Sequence, residues 1–231
     1  MDFSEILWLA LGAAVLSLAL VVSICLLLSR RKTKRDLKKR TDASGKRGEE
    51  NLLADVKRFT RFRHVRILTN LYLREPQGRS TEIDLLLLDR DGVFIFESKN
   101  YNGMIFGDEQ NRNWLHVLRN GDRFQFYNPI WQNSGHVTAV RKALGNPDRG
   151  YFKSIIVFGQ NSVFKRLKVK QSDCVIVKAG KAKKAFRMLG RSTRGALSKR
   201  QVEEYYRLLL PYSHANRRTK RQHLRQVQKR K

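Results

Sequence analysis

Residues Glu82 to Lys99 read Glu-Ile-Asp-Leu-Leu-Leu-Leu-Asp-Arg-Asp-Gly-Val-Phe-Ile-Phe-Glu-Ser-Lys, and this stretch decides the fold. Two apolar runs, Ile83 to Leu88 and Val93 to Phe96, flank Asp89-Arg90-Asp91-Gly92. Short apolar runs around an Asp-Gly pair predict a β-hairpin. The apolar residues are nearly continuous, which predicts strands covered on both faces. Each strand nevertheless carries charge: Asp84 in the first, Glu97 in the second, and Lys99 two residues later. Burying an ionised group without a partner costs several kcal/mol, so these positions ask for an explanation.

The turn sets where the charges meet. With Arg90-Asp91 as a two-residue loop, Asp89 pairs with Gly92 and counting outward sets Asp84 opposite Glu97. With Asp91-Gly92 as the loop, Asp84 falls opposite Lys99. Either register places Asp84, Glu97 and Lys99 on one face, because side chains alternate with period two. Directly opposed residues have Cβ atoms roughly 5 Å apart, within reach of a shared divalent cation. A three-residue loop would instead set Asp84 against Ser98. On spacing alone, a structural Asp–Lys–Glu ion-pair cluster explains the same residues.

The wider pattern separates the two readings. Asp84, twelve residues, then Glu97-Ser98-Lys99 resembles the catalytic core of the PD-(D/E)XK nuclease superfamily, with Ile83 where that pattern has proline. Around it stand Gly45-Lys46-Arg47-Gly48-Glu49-Glu50, Thr81-Glu82-Ile83-Asp84, Gly92 through Gly103, Trp114 and Asn128-Pro129-Ile130-Trp131-Gln132-Asn133. In this order they resemble the NERD (nuclease-related domain) family over roughly residues 43 to 145. The resemblance implies an α/β, restriction-endonuclease-like fold, a mixed central sheet flanked by helices. It implies that Asp84 and Glu97 are metal ligands and Lys99 a catalytic group. It also implies an acid on the first helix, Glu49 with Glu50 as fallback, and Gln132 near the active site. Mg²⁺ is the expected cofactor and Mn²⁺ a substitute, since hard oxygen ligands that leave room for water suit these ions. The Ser98 backbone carbonyl would complete the ligand set.

Composition points to polyanions. All 48 Lys and Arg follow position 29, against 18 of the 20 acids, a net +30 over that region. Such a charge meets nucleic acid, anionic lipid, or both. Two cysteines, Cys25 and Cys174, exclude a disulfide framework or a Cys-rich zinc site.

Residues Ile6 to Ser29 hold no charge. At 1.5 Å per residue they extend about 36 Å, enough to cross a bilayer core of about 30 Å. No base precedes them, which argues against a cleaved signal peptide. Eight bases between Arg30 and Arg40 follow, opposed only by Asp36. The expectation is a single-pass anchor in the inner, cytoplasmic membrane, N-terminus outside and the remainder cytoplasmic, with residues 30–40 against anionic lipid.

The predicted organisation is an anchor (1–29), a basic juxtamembrane linker (30–42), the nuclease-like domain (43–178), a basic helical extension (179–212) and a disordered basic tail (213–231). Within the domain, residues 43–60 read as an amphipathic helix, and His64 to Leu73 as a strand. Short strands are expected at 104–106, 114–118 and 124–126, Trp114 being a packing residue. Pro129 to Leu144 reads as a helix capped by Asn128 and stopped by Gly145. Gln132 and His136 share a face of it, one turn apart; His136 reads as surface or structural and is left outside the predicted site. Strands at 153–158 and 174–177 flank a basic loop. Helices follow at 182–189 and 197–210, the second ended by Pro211. The 18 bases from Lys178 onward face only Glu203 and Glu204. The predicted activity is metal-dependent hydrolysis of phosphodiesters in nucleic acid, DNA foremost. A membrane-tethered binding module that keeps the fold without turnover is the alternative.

Overall fold

The computed structural model describes residues 2, 23, 24, 26, 43–74, 80–170 and 172–213. The chain parts into two compact units, Met1–Ser44 and Gly45–Lys231, and apart from the first two residues of the opening helix the second carries everything that follows. The expected anchor falls almost wholly outside the described residues, as does the tail from 214. Among the described residues, no helix is long and apolar enough to cross a membrane.

Helix α1 covers residues 43–60. Strands β1 (Arg66–Arg74), β2 (Ser80–Asp89) and β3 (Gly92–Lys99) follow as an antiparallel meander. Then come β4 (Gly103–Asp108), β5 (Asn113–Val117), β6 (Arg123–Tyr127) and helix α2 (Pro129–Ala143). The chain continues through β7 (Phe152–Phe158), β8 (Ser162–Lys168), β9 (Cys174–Lys178), α3 (Ala182–Gly190) and α4 (Lys199–Ser213). The result is a mixed α/β fold with two mixed sheets. The larger has the order β1-β2-β3-β7-β9, and the smaller β6-β5-β4-β8. The parallel β3–β7 pairing is made through a crossover that carries the small sheet's first three strands and α2.

Both faces of the larger sheet are covered, as the unbroken apolar runs require. One face packs Leu86, Leu88 and Ile95 against Val137 and Val140 of α2 and Val202 and Leu209 of α4. The other packs Leu85, Leu87, Phe94 and Phe96 against Leu52 and Val56 of α1 and Ala185, Phe186 and Leu189 of α3. Burial of so many large side chains, at about 1.5–3 kcal/mol each, makes β2 and β3 the centre of the molecule.

The hairpin turn is the Arg90-Asp91 loop, with Asp89 paired to Gly92. Gly92 has φ +137° and a Cβ there would lie 2.6 Å from the Tyr151 carbonyl oxygen, so no other residue fits without displacement. The β2–β3 ladder stops at Leu85↔Phe96, one pair short of Asp84. There the alternation reverses. Along β1 and β2, Ile67, Leu85 and Leu87 face the α1–α3 side, yet Leu71, Leu73 and Ile83, also odd-numbered, face the α2–α4 side. Asn70, the position opposite Asp84 by count, has φ +52°, a left-handed conformation that Asn tolerates better than most residues. Asp84 therefore stands where the sheet turns over.

Three sequence expectations need correction. The segment read as a basic loop between β7 and β9 contains β8, a mostly exposed strand at the edge of the small sheet. Its lysines and arginine hide the strand pattern, and such residues are how edge strands avoid further pairing. Pro211 does not end α4, which runs to Ser213. A proline this close to the C-terminus disturbs only the last turn. Of the two registers weighed, the one that sets Asp84 opposite Glu97 is observed, but the ladder ends one pair before Asp84 and the period-two alternation breaks at the reversal. Asn128 does cap α2, its side chain accepting from the Ile130 N–H, and Pro129 holds the first turn. Trp114 is buried against Ile105, Ile130 and Phe158.

Candidate active site

The open ends of β2 and β3 gather the charged residues of the opening motif. Lys99 Nζ lies 2.6 Å from Glu97 Oε1 and donates to Gln132 Oε1 at 2.9 Å. Asp84 Oδ2 accepts the Ser98 backbone N–H at 2.8 Å. That bond ties the two strands beyond the end of their ladder. Glu97, Lys99 and Gln132 meet on the α2 side. On the α1 side, Glu82 accepts a hydrogen bond from the Tyr72 hydroxyl, and Glu49 of α1 comes within electrostatic reach of Glu82 and Glu97. Asp84, at the reversal, feels Glu97, Glu49 and Lys99 together.

Gly48 explains how α1 comes so near. A Cβ on it would sit 2.7 Å from Asn100 Cβ and 3.2 Å from Ser98 Oγ. Only glycine lets the helix pass the end of β3 at this distance, and its neighbour Glu49 is carried to the site edge.

Electrostatics divides the acids. Burial raises the Asp84 carboxyl well above its ordinary range, and the Glu97 charge adds to this against the Ser98 N–H. Burial likewise raises Glu49, assisted by Glu82, Glu97 and Glu50. Glu97 goes the other way: burial opposes its charge, but Lys99 and His136 outweigh it and bring the group down to about 2. Lys99 is held charged in turn, its burial outweighed chiefly by Glu97. Glu97 is thus a fixed anion, whereas Asp84 is a carboxylate short of positive charge. Pairs of acids pushed apart in this way mark sites of chemistry.

His136 is the residue that sequence reasoning left out. Buried on α2, it contacts Glu97 Oε2 through Nε2 at 3.1 Å and Thr81 Oγ1 through Nδ1 at 2.8 Å. A carboxylate only accepts, so Nε2 donates to Glu97, and the Thr81 hydroxyl, which can donate or accept, pairs with Nδ1 in either protonation state of the ring. Its position one turn after Gln132 was the available signal, since residues four apart share a helix face. Thr81, Tyr72 and Glu82 also join the site; Thr81 and Glu82 lie inside the quoted motif, and nothing in the local pattern marked Tyr72.

Asp84 Oδ1 makes no hydrogen bond among the described residues. Glu97, by contrast, has both oxygens engaged, by Lys99 and His136. Among the described residues, no group of three or more His, Cys, Asp or Glu side chains is gathered closely enough to hold a metal ion. The donor chemistry still suits a hard cation, for hard carboxylate oxygens are present with a deficit of positive charge at Asp84 and Glu49.

Comparison with known proteins matches residues 44–159, half of the 231-residue chain, to the nuclease-related domain, NERD. The chain belongs to the NERD family. An uncharacterized protein of Bacillus anthracis is 36% identical over 75 residues, which are 32% of this chain and 34% of that protein. The chain thus spans about a third of the length of that curated relative. No solved structure matches it at a significant level. The family match encloses Glu49, Asp84, Glu97, Lys99, Gln132 and His136, so the whole charged cluster lies inside the NERD region.

Proposed function

We propose that this NERD protein is a metal-dependent nuclease with a restriction-endonuclease-like active site, held at the membrane by residues 6–29 and cutting DNA on the cytoplasmic side. The observation that carries the reading is the Lys99 ammonium fixed between Glu97 and Gln132 beside the under-neutralised Asp84 carboxylate. Asp84 and Glu97 would hold Mg²⁺ or Mn²⁺, with Glu49 and the Ser98 carbonyl as further ligands. When bound, the ion would supply positive charge to the phosphate and lower the pKa of a water. Lys99 orients the attacking water or stabilises the crowded phosphate, with Gln132 steering its ammonium. His136, through its bond to Glu97 Oε2, fixes the carboxylate's rotamer. Hydrolysis then exchanges one P–O ester bond for a P–O bond from water. Basic side chains across the surface supply affinity that ignores sequence and falls with salt.

The engagement of both Glu97 oxygens favours a second reading, a tethered binding module whose acids serve as an ion-pair cluster. Incubating the full-length protein with single- and double-stranded DNA and RNA, with Mg²⁺, Mn²⁺ or EDTA, separates the two. Cutting that needs metal and is lost in Glu97→Gln supports the nuclease. Binding without cutting of any substrate overturns it.

A further inference from the structure

Between Asp173 and Glu203 the chain holds no acid and nine bases. Helix α3 spends its apolar residues, Ala182, Ala185, Phe186 and Leu189, on the sheet, and its opposite face is left to lysine, arginine and the half-exposed Met188. Gly190 seats the end of the helix on the hairpin turn: a Cβ there would be 3.3 Å from Asp91 Cβ and 3.4 Å from Phe94 Cζ. Two recesses open along this face. One, of about 480 Å³, lies among Arg63, Asp91, Arg187, Arg191 and Arg194. The other, of about 550 Å³, shares Arg187 and Arg191 and continues towards Lys181, Lys183 and Lys184.

Among the described residues, the only acid in either lining is already engaged. Asp91 Oδ2 accepts from Arg63 at 2.8 Å, and Oδ1 accepts the Gly195 N–H at 3.0 Å. Arg63 is further held by two bonds to Asp89, at 2.8 Å each. Arg187, Arg191 and Arg194 are exposed and form no ion pair among the described residues. Arg187 lies on α3, Arg191 opens the 3-10 turn that follows and Arg194 ends it, and all three line the first recess. Guanidinium groups so placed match phosphate oxygens, often two at a time.

We propose that this α3 strip is a second binding site for nucleic acid, gripping backbone phosphates away from the catalytic groups. Its shape favours a linear polyanion over a compact ligand. From Lys181 to Arg194 the strip extends on the order of 20 Å at the helical rise, against 3.4 Å per nucleotide along a strand. Its one aromatic, Phe186, is buried and already covered by the Arg63 guanidinium, so no ring is left for bases to stack on. Recognition is therefore of backbone, not sequence. The strip adjoins the turn end of β3, while Glu97 and Lys99 stand at its far end, roughly 20 Å along the strand. Contacts here hold the polymer without touching the bond to be cut. Only the substrate class is taken from the nuclease reading.

The test is equilibrium binding of labelled duplex DNA to the full chain in lipid nanodiscs, in EDTA, across a salt series. Arg187→Gln/Arg191→Gln/Arg194→Gln should weaken binding and make the slope of log K against log salt shallower by up to about 2.7, three contacts at 0.9 each. Lys199→Gln/Arg200→Gln/Arg207→Gln, an equal charge loss on α4 across the sheet, should change the slope by less than one. Equal slopes for the wild type and the α3 variant, or equal losses in both variants, would overturn the proposal. So would competition by micromolar mononucleotide, which would mark a compact-ligand pocket, or a loss confined to anionic vesicles. Because no cleavage is read, a wild type that never cuts would sink the nuclease and leave this site standing.

Discussion

The two ends of the β2–β3 hairpin hold similar charges in opposite states. At the turn, Asp89 is 2% exposed, yet Arg63 grips both its oxygens and reaches Asp91 as well. Asp89 Oδ1 also accepts the Asp91 N–H. At the open end, Glu97 is matched by Lys99 and His136, but burial and neighbouring acids push Asp84 and Glu49 up beside it. One end is a balanced clamp and the other a standing deficit. Charged residues on an apolar strand are therefore not diagnostic by themselves. The imbalance is what points to chemistry, because perturbed acids gathered at one end of a sheet cluster at functional sites.

The largest test breaks the open end. Glu97→Gln, Asp84→Asn and Lys99→Ala should each lower DNA cleavage by at least about a thousandfold, with the oligonucleotide Kd within a few-fold of wild type, as for groups that act on the reacting phosphate. Equal losses of binding and cutting would return the cluster to a structural role. His136→Asn acts one shell further out. Cleavage should fall about 10–100-fold, as for outer partners of ligating groups. Higher Mg²⁺ should recover part of the rate if His136 only positions Glu97. Rates that ignore Mg²⁺ concentration would remove it from the site.

At the turn, Arg63→Ala should leave Asp89 buried and unpaired. A fully buried pair would cost about 3–5 kcal/mol. Arg63 is 41% exposed, so about 2–3 kcal/mol is expected after solvent screening. Urea melts should show that loss, while the cleavage rate per folded molecule at saturating DNA stays at the wild-type level. A loss of cleavage at full stability would mean that the two ends are coupled.

Much of this contrast was legible before any coordinates. Continuous apolar runs and the Asp-Gly pair announced the buried hairpin, and one of the two registers weighed is the one observed. The ordered motif led to Asp84, Glu97, Lys99, Glu49 and Gln132, and the structure brings them to the same end of the sheet. What alternation could not reveal was the reversal at Asn70 and Asp84. A single left-handed residue resets the face of everything beyond it, and Asn in a strand announces no such turn. His136 escaped for a different reason. A Gln-His pair on a helix is usually a surface or structural feature, and only the placement of α2 over Glu97 makes His136 part of the site. Of the second sheet, the strands at 104–106, 114–118 and 124–126 were read, and only its edge strand β8 was hidden, being written largely in lysine and arginine.

The smallest expected effect is the one that separates the two ends most sharply, since it runs against intuition. Asp84 has a folded-state pKa raised above the unfolded value of about 3.9, chiefly by burial and then by Glu97. Below that value both states are protonated and Asp84 adds no penalty. As pH rises towards the folded value, the unfolded chain ionises freely and the native state does not, so Asp84 destabilises the fold progressively. Asn cannot ionise and still accepts the Ser98 N–H, so Asp84→Asn should be more stable than wild type at pH 7. The gain should read as a rise in Tm, since each kcal/mol moves Tm by about 2–4 °C for a chain of this size. Glu97 carries the opposite sign: lowered to about 2, it stabilises above the unfolded value of about 4.3, and that contribution fades as pH falls towards 2. Glu97→Gln should therefore melt lower at pH 7, and its deficit should shrink in acid. Thermal melts of both variants from pH 3 to pH 8, without metal and then with Mg²⁺, read this directly. Under the proposed function, Mg²⁺ should raise the wild-type Tm and erase the advantage of Asp84→Asn, because a bound ion would supply the charge that Asp84 lacks. Two variants that both melt lower at pH 7, with no response of the wild type to Mg²⁺, would make the open end a second clamp like the first.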